Sequence, residues 1–226
     1  TENLTVVRNI CGAVSVPVIA DTDTGYGNAI NIMRTVREFE NAGVSGMIFE
    51  DQLSPKKCAA CANRIELLGV EEAVGKIRAA VEARQNPDTI IIARTDEVDE
   101  DAAIARAKLY VEAGADLIQP ISRCFKDIGG LRRLREACGV PLSLQILGWL
   151  ESDLSADDIK EVAGLACYPL VGLMSAAKVL QDNFSALAID LGTKNLPQPK
   201  MSMDEFKSFI GFTEVEQQQE RFLLTE

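Results

Sequence analysis

Histidine is absent from the 226 residues, which excludes imidazole as general base, nucleophile partner or metal ligand. Proton chemistry must fall to Asp, Glu, Lys, Tyr, Cys or water. Long apolar runs are absent too: the best of them, TIIIA from Thr89 to Ala93, is far short of the roughly 20 residues that span a bilayer. The N-terminus lacks the basic-then-apolar pattern of a signal peptide, so a cytoplasmic protein with no membrane partner is expected. No Lys/Arg run occurs, and the formal net charge of -11 speaks against a nucleic-acid groove. A glycine-rich dinucleotide fingerprint is missing after the first apparent strand, which weighs against nucleotide binding of the doubly wound kind.

What remains is 47% hydrophobic and 25% charged residues, a composition suited to a compact domain with a sizeable core. Six cysteines lie at 11, 58, 61, 124, 138 and 167. A chain of this length needs no disulfide framework, and the cysteines read as reduced thiols.

The strand-like segments are short, β-branched and apolar throughout: Val16–Asp21, Gly46–Glu50, Thr89–Arg94, Leu117–Pro120, Pro141–Ile146 and Cys167–Val171. Strands without alternation are buried on both faces, as in a parallel sheet. Between them lie amphipathic segments at 28–42, 70–84, 101–113, 127–138 and 156–163, and several end at an Ala-Gly pair. The chain is thus β then α, repeated, and opens with a helix at Leu4–Ala13. After the sixth strand come a long helix (175–191), a proline-containing linker (195–200) and one helical stretch from Ser202 to Leu224, for which Ser202 and Glu205 form a capping box. The expected division is a barrel domain over residues 1–191 and a C-terminal linker and helical segment over 192–226.

Polar residues close three of the strands: Asp21 and Asp23, Glu50 and Asp51, Arg94 and Asp96. Strand C-termini carry the chemistry in a (β/α)₈ barrel and also in a doubly wound sheet, so this feature alone leaves both open. Asp21-Thr22-Asp23-Thr24-Gly25-Tyr26-Gly27 places two carboxylates at a strand end before a turn with two glycines. Such hard oxygen donors suit Mg²⁺, although an acidic, glycine-rich turn is also simply a turn. Glu50-Asp51-Gln52 ends the next strand, and converging carboxylates call for a cation or a proton between them. They read equally as solvated loop acids. Cys58 follows Lys56 and Lys57, an electropositive setting that favours thiolate and makes it a candidate proton donor or acceptor. With Cys61 it forms a C-x-x-C, but a zinc site needs about four ligands and neither His nor a second C-x-x-C is present. A redox dithiol is the other reading of that pair.

The motifs D-T-D-T-G-Y-G, E-D-Q-x-x-x-K-K-C, I-I-A-R-T-D and G-F-T-E-V-E-Q-Q-Q-E-R-F, in that order from Val16 to Phe222, resemble the isocitrate lyase and phosphoenolpyruvate mutase superfamily. They are most similar to its methylisocitrate lyase, dimethylmalate lyase and oxaloacetate hydrolase branch. The resemblance implies a (β/α)₈ TIM-type barrel, here with strands 3 to 8 and without the first two units, whose last helix swaps between subunits of a homotetramer. It also implies Mg²⁺ and a small 2-hydroxy or 2-oxo di- or tricarboxylate cleaved by a carbon–carbon lyase or hydrolase through an enolate-type intermediate. Carried over by motif, Asp21 is the direct metal ligand, Asp23 and Glu50 hold metal-bound water, and Gly25, Tyr26 and Arg94 bind substrate. Lys56 and Cys58 are the catalytic residues, with Cys58 protonating the enolate. Arg94 followed by Asp96 also reads as a structural ion pair.

The branch pattern is not complete. Ala59 and Ala60 stand where it has Gly and His, Ile121 where it has Glu, and Gln145 where it has Asn. These departures motivate an alternative expectation, a catalytically impaired homologue with a binding or regulatory role.

Overall fold

The structure is a computed structural model and describes residues 1–58 and 65–223. The chain divides into two compact units, Thr1–Pro169 and Leu170–Glu226. This division falls earlier than the one after residue 191 that the sequence suggests, and it groups the long helix with the C-terminal segment.

The first unit runs α1 (Glu2–Ala13), β1 (Ile19–Asp21), α2 (Ala29–Ala42), β2 (Gly46–Glu50), α3 (Val70–Ala83), β3 (Ile90–Thr95), α4 (Glu100–Glu112), β4 (Leu117–Pro120), α5 (Ile128–Cys138), β5 (Leu142–Gln145), α6 (Trp149–Asp153), α7 (Ala156–Val162) and β6 (Ala163–Cys167). The six strands form one parallel sheet in sequential order β1 to β6. A doubly wound sheet reverses its strand order at a switch point, and this one does not, so the order is that of a barrel. The sheet curls as part of a barrel, and the thiol of Cys167 on the last strand has its pKa raised by burial first and then by the charge of Asp21 on the first strand. The result is an α/β fold with a partial barrel.

Burial on both strand faces explains the unbroken apolar runs. Met47, Phe49, Ile91, Ala93 and Ile118 are buried in one core with Ile32, Val36 and Phe39 of α2, Ala73, Ile77 and Ala80 of α3, and Ala103 and Ala107 of α4. Register then fixes the polar rim. Asp21 lies opposite Ile48, Glu50 opposite Arg94, and Arg94 opposite Gln119. Paired residues of a parallel sheet project to the same face, so Glu50, Arg94 and Gln119 share one row.

The last strand corrects the sequence reading. It begins at Ala163, not Cys167, and Val171 already belongs to a helix. The Ala163-Gly164 pair, expected to end a helix, lies inside β6. Its glycine serves close approach, since a Cβ there would meet Pro141 Cβ at 2.8 Å. α6 was not foreseen; Trp149 opens it and donates from Nε1 to Ser122 O at 2.9 Å.

The second unit holds α8 (Val171–Asp190), α9 (Met203–Phe209) and α10 (Phe212–Phe222). The stretch expected as one helix from Ser202 is two, because Gly211 adopts φ 74 and breaks it. Ser202 and Glu205 do form the expected capping box of α9. None of these helices buries a side chain. Among the described residues, no helix is long and apolar enough to cross a membrane.

Candidate active site

The turn after β1 is held in an uncommon backbone shape. Asp23 and Tyr26 have φ 52 and 60, a left-handed region that costs non-glycine residues of order 1–3 kcal/mol each. Gly25 (φ 84) packs so closely that a Cβ would lie 2.2 Å from Ile32 Cγ1. The Asp21 carboxylate accepts from Asp23 N at 2.9 Å, and Asn3 Nδ2 donates to both Asp21 O and Tyr26 Oη at 2.8 Å. Burial raises the Tyr26 pKa against that Asn3 bond, with the charges of Asp23 and Asp21 adding to the rise. The phenol therefore stays neutral.

Next to this turn, a chain of opposite charges crosses the strand ends. Lys56 Nζ lies 2.5 Å from Asp23 Oδ1 and 3.2 Å from Glu50 Oε1, and Arg94 Nη1 lies 3.2 Å from Glu50 Oε2. Glu50 is no solvated loop acid: its side chain is 1% exposed, and neither carboxylate oxygen has a hydrogen-bond partner despite these ion-pair contacts. Burial raises its pKa, Arg94 opposes that rise and Asp96 adds to it. For Lys56, burial acts to lower the pKa, but the bond to Asp23 and the charges of Glu50, Asp21 and Asp23 together win and raise it. Lys56 thus remains an ammonium wedged between two acids.

Arg94 is committed twice over. Asp96 grips it with two parallel bonds, Nε to Oδ1 at 2.7 Å and Nη2 to Oδ2 at 3.1 Å, while Glu50 approaches the third nitrogen. Both readings of the arginine meet here, a buried ion pair that also faces the acidic rim. The residue that sequence reasoning named only as a strand member is Gln119. It is 1% exposed, accepts from Ser143 Oγ at 2.8 Å through Oε1, and leaves Nε2 without a partner. Its one available signal is register with Arg94, which needs the sheet order to be known.

Cys58 is exposed and two residues beyond Lys56; Ala59, Ala60 and Cys61 lie outside the described residues. Cys11, Cys124, Cys138 and Cys167 are thiols, and burial raises the pKa of Cys124 to about 12 and of Cys138 to about 11. Ile121 is a core residue, and Gln145 is half-buried at the end of β5.

Among the described residues, no three His, Cys, Asp or Glu side chains cluster in metal-binding geometry. The donor set nevertheless fits a hard cation that keeps most of its waters. The Glu50 oxygens meet Lys56 and Arg94 only as ion pairs and keep acceptor capacity for metal-bound water, while Asp21 ends the adjacent strand and Asp23 follows it in the turn.

Known proteins share this architecture. The family pattern described as phosphoenolpyruvate phosphomutase matches residues 1–167. The 2,3-dimethylmalate lyase of Eubacterium barkeri is 38% identical over 220 residues, covering 95% of this chain and 75% of the lyase. An oxaloacetate decarboxylase of Pseudomonas aeruginosa (strain PAO1) is 38% identical over 200 residues, covering 85% of this chain and 68% of the decarboxylase. Among solved structures, phosphonopyruvate hydrolase in complex with oxalate and Mg²⁺ superposes with a TM-score of 0.84 at 30% identity, covering 98% of this chain and 78% of the hydrolase.

Proposed function

The chain belongs to the phosphoenolpyruvate phosphomutase family of the isocitrate lyase superfamily, and from that premise we propose a magnesium-dependent carbon–carbon lyase or hydrolase acting on a small 2-hydroxy or 2-oxo di- or tricarboxylate. The observation that carries the reading is the rim itself, a buried Glu50 carboxylate held between the cations of Lys56 and Arg94 beside the acids of the β1 turn.

Asp21 would hold Mg²⁺ directly, and Asp23 and Glu50 would hold it through water; the chemistry it would supply is positive charge to offset that developing on the substrate oxygens. Arg94 binds a substrate carboxylate with the donors that Asp96 leaves available, and the two-pronged grip of Asp96 fixes the plane of the guanidinium. Lys56, kept protonated by its acidic neighbours, stabilises negative charge and does not act as a base. Tyr26 and Gly25 shape the near wall. For a 2-hydroxy substrate, the hydroxyl proton leaves to water as the carbon–carbon bond breaks, so that one fragment becomes a 2-oxo acid and the other an enolate-type carboxylate; Cys58 gives its thiol proton to the carbon of the latter and is reprotonated from water.

Assembly as a homo-oligomer, a tetramer by family analogy, belongs to the same proposal and is supported by the apolar residues that α8 leaves exposed.

Calorimetry with oxalate in saturating Mg²⁺ tests the site, and release of 2-oxo acid from dimethylmalate, methylisocitrate and oxaloacetate tests the reaction. Oxalate should bind only with Mg²⁺, and Glu50→Gln should weaken it at least about tenfold, as expected for loss of a group that orients the metal shell. Cys58→Ser should abolish turnover and leave oxalate binding intact. Oxalate binding that is indifferent to Mg²⁺, or turnover undiminished in Cys58→Ser, contradicts the proposal.

A further inference from the structure

Behind Arg94 lies a second buried carboxylate, Asp51, whose contacts reach in two directions. Its Oδ2 accepts from Tyr110 Oη at 2.7 Å and Thr95 Oγ1 at 2.8 Å and faces Arg106 Nη1 at 3.3 Å; its Oδ1 accepts from Asp96 N at 2.9 Å. Toward the site, Asp96 carries the two-pronged grip on Arg94 and also accepts from Gln52 Nε2 at 2.5 Å. Toward the segment that bears Lys56, Gln52 Oε1 accepts from Lys57 N at 3.0 Å.

The return of that segment is tied to the same point. Arg106 Nη2 donates to Leu68 O at 3.0 Å, Leu68 N donates to Asp51 O at 2.9 Å, and Leu53 N donates to Glu66 O at 2.7 Å. Arg106 and Tyr110 stand one turn apart on α4, on one face of the helix. Tyr110 is 1% exposed, and a phenol this buried is kept only with a partner for its hydroxyl. The bonds from Tyr110, Thr95 and Asp96 N to the Asp51 carboxylate join a charged acceptor to a donor in a buried interior, where losing one partner strands the other.

We propose that Arg106 and Tyr110 are positioning residues for the reaction: through Asp51 they fix Asp96, and hence the plane of Arg94, together with the backbone that presents Lys56. They touch no substrate. The inference rests on the reading of Arg94 as the carboxylate-binding residue, and it assigns to α4 a role in substrate affinity that the rim residues alone do not predict.

Tyr110→Phe removes one oxygen and keeps the ring; Arg106→Lys keeps the charge but cannot reach Asp51 and Leu68 O together. Each should weaken oxalate in saturating Mg²⁺ about tenfold, the size expected for one lost hydrogen bond to a charged group. In turnover assays the KM for the carboxylate substrate should rise by the same factor while kcat changes less. Trypsin should cleave after Lys57 faster than in the wild type, because the roots of that segment are loosened. Arg132→Met, which removes only surface pairs with Glu161 and Asp158, should change none of these.

Arg94→Lys separates the two claims. If it leaves oxalate affinity unchanged, Arg94 is not the carboxylate-binding residue and the reading beneath the inference fails. If Arg94→Lys weakens oxalate but Tyr110→Phe and Arg106→Lys bind it like the wild type, the positioning role is overturned. Should Tyr110→Phe not fold, Arg106→Lys alone decides by the same measurements.

Discussion

Lys76 on α3 is 6% exposed and pays a desolvation cost: burial lowers its pKa from the ordinary 10.5, and Glu72 offsets only part of that. Because the folded-state pKa is the lower one, the unfolded chain binds more protons between the two values, and stability rises as pH climbs through that window toward 10.5. Lys76→Met should therefore stabilise the protein by about 1 kcal/mol at neutral pH. The advantage over the wild type should shrink as pH is raised to 10.5. Urea unfolding of both proteins at pH 7 and pH 10 checks it, and an advantage that does not change with pH would assign the effect to packing instead. Gly25 gives the opposite sign. Gly25→Ala adds a Cβ against Ile32 at φ 84 and should cost about 2–4 kcal/mol, read as a fall in the urea midpoint. At this scale the sequence was legible where chemistry is local. Asp21, Asp23, Glu50 and Arg94 are visible as polar ends of apolar strands. Asp51, Tyr110 and Arg106 lie 44 to 59 residues from their partners, and no local pattern announces such bonds.

Elements follow their caps and their periodicity. α2 begins at an Asn28 and Asn31 capping box and ends at Gly43 with φ 97, and both ends agree with the sequence reading. Asn28→Ala should cost about 1 kcal/mol, measured by thermal unfolding, because Ile30 N and Asn31 N lose their acceptor. The same change leans on the site, since α2 starts directly after the turn that holds Asp23 and Tyr26. β6 shows where such reading stops. Ala-Gly ends a helix when the glycine turns left-handed, as at Gly114 (φ 103), and does not when the glycine lets a strand approach Pro141. Residue identity is the same in both, and tertiary packing decides.

For the whole molecule, the partial barrel was legible as repeated β and α, while the choice between a barrel order and a doubly wound one needed the strand pairing. The helix α8 presents Leu173 at 69% and Phe184 at 62% exposure. Exposed apolar side chains along one helix are where the proposed homo-oligomer would bury surface. Sedimentation velocity should find the wild type as an oligomer, and Leu173→Ser with Phe184→Ser should shift it toward monomer without loss of helix content. A wild type that sediments as a monomer at every concentration would remove this role from α8.

The sequential order of β1 to β6 also bears on how the chain reaches its shape. Among the described strands, each from β2 to β6 pairs with the one synthesised just before it, so loop-closure entropy stays small at each of these pairings. Acquisition of structure can then proceed vectorially, each βα unit docking on the growing edge as it leaves the ribosome, with the acidic rim assembled only once β3 has brought Arg94 beside Glu50.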